Sequence, residues 1–346
     1  MAQQREGPLT AAQTPEDTSA ERSLRPRRLD QYFGQEIVKG NLDIAIRAAL
    51  GREEPLDHLL FHGPPGLGKT TLAMIVASEM SVSIRITSGP AIERSGDLAS
   101  LLTTLQPGDV LFIDEIHRLS NVVEEFLYPA LEDFRVDFTT ESGVGGRTIN
   151  FPLKRFTMIG ATTRAGMLSA ALHARFGLIF HLRYYDPEEL VRIVEHNAKL
   201  LNVPADRPAL ERLASRSRGT PRIVNRLLRR VRDYAEVRGD GTLTPEIVDT
   251  ALNILEIDAL GLDALDRAYL LALIKHYDGG PAGIEAIAAS MGHERDTLED
   301  VVEPYLLQIG FVIRTPRGRA ARPAAYEHLG LTAPSNAADE PSLFDS

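Results

Sequence analysis

One short segment of the sequence combines glycines, a lysine and two hydroxyl side chains in a spacing that suits phosphate binding. Residues 63–71 read GPPGLGKTT and match the pattern G-x-x-x-x-G-K-S/T in full. An apolar run, LLF at 59–61, precedes this segment, and a helical run, TTLAMIVASEM, continues from it. Backbone N–H groups from Gly66 onward can therefore point at a polyphosphate, Lys69 can neutralise its charge, and the hydroxyl of Thr70 can bind Mg²⁺. The segment predicts a loop that binds ATP and Mg²⁺.

An acidic pair further along the chain supplies a complementary chemistry. The run VLFIDEIHR at 110–118 places Asp114 and Glu115 at the end of four apolar residues that read as a buried strand. Ligands of open α/β sheets bind at the carboxyl ends of the strands. We expect Asp114 to help hold Mg²⁺ and Glu115 to act as the general base that polarises an attacking water. Such a pair alone is usually an ordinary surface feature, and the preceding phosphate loop favours the catalytic interpretation.

The elements that would position these residues fall into three zones. Within 23–183, short runs rich in β-branched and aromatic residues alternate with helical segments, which predicts an α/β domain with a parallel sheet covered on both faces. The predicted strands are HLLFHG, SIRIT, DVLFIDE, FTMIGATT and LIFHLRY. Residues 184–256 contain only helical patterns and predict a small all-α lid domain. Residues 257–333 show three helices before a short hairpin, which predicts a winged-helix domain. The polar segments 1–22 and 334–346 are expected to be disordered.

Composition excludes several other classes of function. The chain has no cysteine, which rules out disulfides, thiolate zinc sites and cysteine nucleophiles. No apolar run approaches the roughly 20 residues of a membrane-spanning helix, and the first residues lack the apolar stretch of a signal peptide, so a cytoplasmic protein is expected. The formal net charge of −10 does not suggest a nucleic-acid binder. Arginines nevertheless cluster at 24–29, 216–232 and 313–322. Because exposed charges are screened beyond about 10 Å, such local clusters can still hold phosphate, although solvated helix faces and ion pairs account for most of the middle cluster.

The acidic pair and two later segments together resemble the AAA+ superfamily. FTMIGATTRAG at 156–166 is similar to the sensor 1 strand, and alignment places Thr163, beside Thr162, at the γ-phosphate. SRGTPRIVNRLL at 217–228 resembles sensor 2, in which Arg222 begins the helix that folds over the nucleotide. Either feature alone has a structural explanation, as a threonine at a strand end or a Pro-Arg at a helix start.

Within that superfamily, the sequence is similar to the RuvB family over nearly all of residues 24–331. The matching runs include LRPRRLDQYFGQE, HGPPGLGKTTLA, ARFGL, RGTPRIVNRLLRRVRDYA, GLDALDRAYL and ERDTLEDVVEPYLLQIGFVIRTPRGR. The resemblance implies a hexameric ring that encircles duplex DNA and uses ATP hydrolysis to drive branch migration of Holliday junctions in recombination and repair. It also implies RuvA and RuvC as partners.

The resemblance carries residue roles to this chain. It implies that Leu24 and Arg25 line the base pocket and that Arg175, in LHARFG, is the arginine finger. His173 and Ala174 depart mildly from the residues that the family commonly has there. The other residues that the resemblance places at the nucleotide are Gly66, Lys69, Thr70, Thr71, Glu132, Asp133, Phe134 and Tyr185.

Two accessory elements also have sequence signatures. Residues 133–151 alternate apolar and polar side chains on both sides of a GVGG turn, which predicts a hairpin. It reads as an ordinary edge hairpin by itself, and the resemblance implies that it docks RuvA. In the predicted wing, FVIRTPRGRAAR at 311–322, packing does not need Arg314, Arg317 and Arg319 together. We therefore expect Arg314 and Arg319, with Arg295 at a nearby helix start, to contact DNA phosphates without sequence preference. Arginine-rich wings can also contact proteins.

Two other classes of AAA+ protein share many of these motifs. A clamp-loader-type switch has the same phosphate loop, sensors and finger, but it typically carries an SRC-like finger motif and a collar domain. A nucleotide-gated DNA-binding regulator would not need the intact Glu115 and Arg175. The ARFG motif and the predicted winged helix favour a DNA motor.

Overall fold

The computed structural model describes residues 24–139 and 148–334, which divide into two compact units at residues 185 and 186. The predictions of disorder for 1–22 and for the segment from 335 onward lie outside the described residues, as does the GVGG turn of the hairpin.

The first unit is built on a five-stranded parallel sheet, which confirms the predicted fold class. Its strands lie in the order β2-β3-β6-β1-β7, and each pairing between neighbours is parallel. The five runs that were predicted as strands all form strands of this sheet. The strands of the unit are β1 (Leu59–His62), β2 (Ile84–Ser88), β3 (Val110–Asp114), β4 (Arg135–Thr139), β5 (Thr148–Pro152), β6 (Thr157–Thr162) and β7 (Leu178–His181).

Helices cover this sheet, and local capping explains where two of them start. The hydroxyl of Ser120 accepts a hydrogen bond from Val123 N at 3.4 Å, and that of Ser169 accepts one from Leu172 N at 3.0 Å. These bonds satisfy N–H groups that have no partner inside the helix. The helices are α1 (Glu36–Arg52), α2 (Lys69–Glu79), α3 (Ser95–Thr104), α4 (Asn121–Glu132) and α5 (Ala170–His173).

The central strands run through the apolar core and end at polar residues. The side chains of β6 are all buried, and those of β3 are buried up to its last residue, Asp114. Because β6 lies between β3 and β1, three neighbouring strand ends deliver Asp114, Thr162 and Gly63 to one edge of the sheet. This edge is where a ligand of a parallel sheet is expected.

Strands β4 and β5 form a separate antiparallel hairpin, as the sequence predicts. Val136 pairs with Phe151 and Phe138 pairs with Ile149, so these four apolar side chains share one face. Val136 is buried in the core, whereas Phe138, Ile149 and Phe151 are 38%, 53% and 46% exposed. The hairpin therefore presents an apolar surface beyond the core.

The second unit starts with four helices and continues into a winged-helix arrangement, again as predicted. Prolines begin α6, α8 and α9, where the missing N–H is not needed and the fixed φ suits the first turn. The helices are α6 (Pro187–Leu200), α7 (Arg207–Ser215), α8 (Pro221–Arg238), α9 (Pro245–Ile254), α10 (Ala264–His276) and α11 (Ile284–Met291). The antiparallel wing consists of β8 (Val312–Thr315) and β9 (Gly318–Ala321).

Two details of the winged helix differ from the prediction. The expected third helix is divided into α12 (Arg295–Thr297), a π-helical turn (Leu298–Val302) and α13 (Glu303–Gln308). Pro304 has no N–H to donate to the preceding turn, which accounts for an interruption at this point. The run FVIRTPRGRAARPAAY at 311–326 was predicted as the hairpin, but its last four residues instead open a helix, α14 (Pro323–His328), because Pro323 suits a first helical position.

Candidate nucleotide site

The loop between β1 and α2 has the backbone that a phosphate cradle requires. Gly66 and Gly68 adopt φ values of 79° and 101°, which strongly favour glycine. The first N–H groups of α2 have no partner within the helix and lie at the positive end of its dipole. The structure thus contains the strand, loop and helix start predicted around residues 63–71, and anion binding by this loop stays a prediction.

Lys69 is held inside this loop. Its side chain is 7% exposed, and its ammonium donates to the carbonyl oxygens of Gly63 at 2.7 Å and Pro64 at 2.8 Å. A buried ammonium at the start of α2 gives the loop a concentrated positive charge. The structure therefore places Lys69 where an anionic ligand of the loop would meet it.

Thr70 and the acidic pair meet at the same edge of the sheet. The Thr70 hydroxyl lies 3.5 Å from Oδ2 of Asp114, and Oδ1 of Asp114 accepts a hydrogen bond from Glu115 N at 2.9 Å. Glu115 follows β3 with a left-handed φ of 52°, and its carboxylate lies 3.8 Å from Nη1 of Arg118. One hydroxyl and one carboxylate are hard oxygen donors, which fits Mg²⁺ because this ion usually takes one or two protein ligands and completes its shell with phosphate and water.

The two threonines at the end of β6 differ in their surroundings. Thr162 is fully buried, and its hydroxyl lies 2.9 Å from Nδ1 of His117 and accepts a hydrogen bond from Arg164 N at 3.0 Å. Thr163 is half-buried and follows at the edge that carries Asp114. Thr162 is thus engaged by the fold, which leaves Thr163 as the candidate for a phosphate contact.

Two tyrosines, Tyr32 and Tyr185, contact the backbone of the phosphate loop. The hydroxyls of Tyr32 and Tyr185 lie 2.6 Å apart, and each lies 3.3 Å from the carbonyl oxygen of Leu67. In a trans peptide the C=O and the following N–H point in opposite directions. Holding the Leu67 carbonyl toward the tyrosines therefore turns the N–H of Gly68 away from them. The sequence indicates Tyr185 but not Tyr32, which has no signal beyond its place in the run LDQYFGQE that resembles the family.

The predicted base-pocket residues lie in the same unit. Leu24 is 6% exposed, and Nη1 of Arg25 lies 3.4 Å from the sulfur of Met74 on α2. The start of the described chain is thereby attached to the helix that follows the phosphate loop.

Other predicted nucleotide contacts lie at the opposite end of the strands. Arg175 precedes β7, which pairs in parallel register with β1 from Leu59↔Leu178 to His62↔His181. The loop that contains Lys69 follows the carboxyl end of β1, so about 13 Å of strand separates it from the level of Arg175. Nη2 of Arg175 lies 3.0 Å from Oε1 of Glu132, which ends α4.

His58 fixes the neighbouring residues at that far end. One ring nitrogen, Nε2, lies 3.1 Å from the Leu131 carbonyl oxygen, and the other, Nδ1, accepts a hydrogen bond from Met158 N at 2.9 Å. Burial is the main cause that lowers the pKa of His58. Glu132, Asp133 and Phe134 follow Leu131 directly. The structure therefore gathers these three residues with Arg175 and does not bring them to Lys69.

In the second unit, Arg222 lies in the first turn of α8, and a different arginine precedes it in a buried network. Arg218 is 5% exposed, its Nε donates to the Gly261 carbonyl at 2.8 Å, and its Nη2 forms an ion pair with Asp266. Burial raises the pKa of Asp266 to about 7, although the charge of Arg218 opposes this shift. The sequence does not predict this network, because its members come from separate segments of the chain.

Two arginines of the wing, Arg314 and Arg319, donate hydrogen bonds to the buried carboxylate of Glu303. Nε of Arg319 donates to Glu303 at 2.7 Å, and so does Nη2 of Arg314, while the Tyr269 hydroxyl donates at 2.8 Å. Burial of Glu303 acts to raise its pKa, but the hydrogen bonds from Arg319, Arg314 and Tyr269 outweigh it and leave the pKa lowered. Arg319, whose side chain is 15% exposed, therefore has a structural role at Glu303, and the phosphate contact expected of it stays a prediction.

Two of the predicted DNA contacts retain substantial exposure. The side chain of Arg314 is 46% exposed. That of Arg295 is 51% exposed and pairs with Glu285 at 2.9 Å and with Glu299 at 3.3 Å. Both guanidinium groups can reach an external phosphate more readily than Arg319 can.

No helix within 24–139 and 148–334 is long and apolar enough to cross a membrane.

Comparison with known proteins covers nearly the whole described chain. Residues 24–182 match the model of the Holliday junction DNA helicase RuvB P-loop domain, residues 185–258 that of the RuvB AAA lid domain, and residues 259–330 that of the RuvB C-terminal winged helix domain. The Thermotoga maritima RuvB Holliday junction branch migration motor is 50% identical, with a TM-score of 0.83, over 90% of this chain and all of that one. Two point mutants of that protein, one lysine to arginine and one proline to glycine, are also 50% identical over 90% of this chain, each with a TM-score of 0.84, and are covered over 99% and 100% of their lengths. The chain therefore belongs to the RuvB family.

Proposed function

We propose that this chain hydrolyses ATP to drive branch migration of Holliday junctions, as one subunit of a hexameric ring on duplex DNA. The arrangement of Lys69, Thr70, Asp114 and Glu115 at one edge of the sheet carries the proposal, because it combines a phosphate cradle with oxygen donors for a metal and a base. Membership of the RuvB family supports the DNA substrate.

The protein groups divide the work of hydrolysis. Lys69 and the N–H of Gly68 bind and orient the triphosphate of ATP. Thr70 and Asp114 hold Mg²⁺. Mg²⁺ neutralises charge on the β- and γ-phosphate oxygens when it is bound. Glu115 accepts the proton of the attacking water, and Thr163 contacts the γ-phosphate. In the second unit, Arg222 supplies a further positive charge.

Arg175 serves a neighbouring subunit in this proposal. About 13 Å of parallel strand separates it from its own phosphate loop, and it lies with Glu132 and Phe134 at the other end of the sheet. A cavity of about 420 Å³ opens beside Arg175, Phe134 and Arg155, which gives room for a group from outside this chain. We infer that Arg175, Glu132, Asp133 and Phe134 border the nucleotide of the adjacent copy.

Two surfaces would link this ATPase to its substrate and partners. Arg295 and Arg314 on the winged helix contact the DNA backbone, which suits a motor that acts without sequence preference. The exposed apolar side chains of the β4–β5 hairpin, Phe138, Ile149 and Phe151, dock RuvA. RuvC joins the same junction complex, and the process belongs to cytoplasmic recombination and DNA repair.

The test is branch migration of a synthetic four-way junction with ATP and Mg²⁺. We expect this protein, together with RuvA, to convert the junction to forked duplexes and to hydrolyse ATP faster when branched DNA is present. The Glu115→Gln variant serves as the matched control that binds but does not turn over. Nucleotide-dependent DNA binding without hydrolysis would instead indicate a regulator, and hydrolysis without junction conversion would indicate a clamp-loader-type switch.

A further inference from the structure

Helix α4 presents three polar side chains, spaced four residues apart, to the segment that leads to Arg175. Residues at this spacing lie on one face of a helix. Glu124 accepts hydrogen bonds from the hydroxyl of Ser169 and, at 2.6 Å, from that of Tyr128. Tyr128 stacks its ring under Arg175, and Glu132 forms the ion pair with Arg175 at 3.0 Å. A single face of α4 therefore holds residues 169–175 at three points.

The guanidinium of Arg175 is confined on several sides. Its central carbon lies 4.0 Å from the centre of the Tyr128 ring, well inside the range of a cation–π contact. Nη1 donates to the Ala171 carbonyl, and the side chain is 18% exposed. Nε is buried and makes no hydrogen bond within the described part of the chain. The ring and the Glu132 carboxylate thus fix the plane of the guanidinium while leaving part of its hydrogen-bonding capacity unused.

The hydroxyl of Tyr128 extends this hold to the backbone. It lies 3.2 Å from the Ser169 hydroxyl, which caps α5 by accepting a hydrogen bond from Leu172 N. Burial, followed by the bond to Glu124, raises the pKa of Tyr128, so the phenol stays protonated as a donor at neutral pH. Tyr128 therefore contacts both the guanidinium of Arg175 and the cap of the helix that precedes it.

We propose that Tyr128 is a positioning residue that holds Arg175 in the geometry needed to reach the nucleotide of an adjacent subunit. This inference rests on the proposed role of Arg175 as a finger that acts in trans. Helix α4 follows Asp114 and Glu115 after one 3₁₀ turn, Ile116–Arg118. The hold on Arg175 is consequently anchored to the same segment that carries the candidate catalytic carboxylates.

Two substitutions at Tyr128 distinguish the contribution of its aromatic ring to kcat from that of its hydroxyl. Tyr128→Leu removes the aromatic ring and with it the cation–π contact to Arg175. Loss of such a contact at a partly buried site should lower kcat about tenfold. KM and the affinity of a fluorescent ATP analogue should not change, because the phosphate loop lies at the other end of β1. Tyr128→Phe keeps the ring and should retain most of kcat. Phe126→Leu is the matched control, since it removes an aromatic ring from roughly the opposite face of α4.

Mixed rings distinguish positioning from simple loss of stability. A Lys69→Ala subunit keeps both Tyr128 and Arg175. In an equal mixture of Tyr128→Leu and Lys69→Ala proteins, half of the Tyr128→Leu subunits therefore have a Lys69→Ala neighbour, whose correctly positioned Arg175 reaches their nucleotide. The rate per Tyr128→Leu subunit should rise about fivefold if its own defect is tenfold. A subunit that is merely destabilised gains nothing from such a neighbour.

The reference mixture is Arg175→Ala with Lys69→Ala. If this mixture recovers activity and the Tyr128→Leu mixture does not, the positioning role of Tyr128 is overturned. If neither recovers, the trans arrangement itself fails and the inference fails with it. A lowered ATP affinity of Tyr128→Leu, or equal losses of kcat in the Leu and Phe variants, would also contradict it.

Discussion

The hydroxyl of Thr70 and the carboxylate of Asp114 lie 3.5 Å apart, although 44 positions separate the two residues in the chain. Thr70 belongs to the first turn of α2, and Asp114 ends β3. The contact joins the phosphate loop to the acidic pair and brings together the two residues that would hold Mg²⁺.

Lys69→Ala should abolish measurable nucleotide binding. The substitution removes the only charge that the described loop residues 63–71 bring to the phosphates, so the phosphates lose their neutralising partner. Binding of a fluorescent ATP analogue checks this, with Lys199→Ala as the control because Lys199 forms an exposed pair with Glu195. An affinity within twofold of the wild type would remove Lys69 from the site.

Glu115→Gln should bind ATP normally and hydrolyse it at least about 10²-fold more slowly, since an amide cannot accept the proton of the attacking water. Steady-state phosphate release and nucleotide affinity, measured on the same preparation, separate the two effects. A rate close to that of the wild type would show that another group is the base.

Local patterns made much of the first unit predictable. The phosphate loop, the acidic pair and the five strands follow from glycine spacing and apolar runs, which act over a few residues. The contact between Tyr32 and Tyr185 joins residues 153 positions apart and has no local signal. The same holds for the buried pair of Arg218 and Asp266, which no periodicity could reveal.

The wing shows how tertiary contacts change an expectation based on residue type. The sequence displays arginines near a turn, and their number suggested phosphate contacts. The sequence does not indicate that Glu303, at the start of α13, is fully buried and contacts both Arg314 and Arg319. A buried carboxylate needs such partners, so part of the positive charge has a structural use.

Arg314→Ala and Arg319→Ala should therefore have different effects. Arg314→Ala should weaken duplex binding about equally for all sequences and reduce the slope of log K against log salt by roughly 0.9 if one phosphate contact is lost. Arg319→Ala should lower the free energy of unfolding by about 2 kcal/mol, because it leaves the buried Glu303 with fewer partners. Arg314→Ala also removes a partner of Glu303, but it should lower that free energy less, because the side chain of Arg314 is 46% exposed and that of Arg319 is 15% exposed. DNA binding at several salt concentrations and thermal unfolding distinguish the two. An unchanged salt slope for Arg314→Ala would show that Arg314 does not contact a DNA phosphate and would favour a contact with a protein.

The buried carboxyl of Asp266 should make stability depend on pH in an unusual direction. Burial raises its pKa to about 7 in the folded chain, against about 3.9 in an unfolded one. Between these values the folded state binds a proton that the unfolded state does not, so this group's contribution to stability falls as pH rises from about 4 to 7. Over this range, Tm should decline more steeply in the wild type than in Asp266→Asn. Asp233→Asn, at an exposed pair, is the control, and parallel curves for wild type and Asp266→Asn would contradict the shift.

Lys69 and Arg175 lie at opposite ends of the paired strands β1 and β7, so one subunit cannot easily use both on one nucleotide. An arginine supplied in trans to the transition state accounts for 10³–10⁵ of kcat in other NTPases. Arg175→Ala alone should therefore be inactive, and Arg175→Lys should fail as well because lysine lacks the planar fork. In an equal mixture of Arg175→Ala and Lys69→Ala, half of the intact loops meet an intact arginine, so the ATPase rate should return to roughly a quarter of the wild-type value. If Arg175 acted within its own subunit, every subunit would lack one essential group and no mixture would recover. Full activity of Arg175→Ala alone would exclude a finger role altogether.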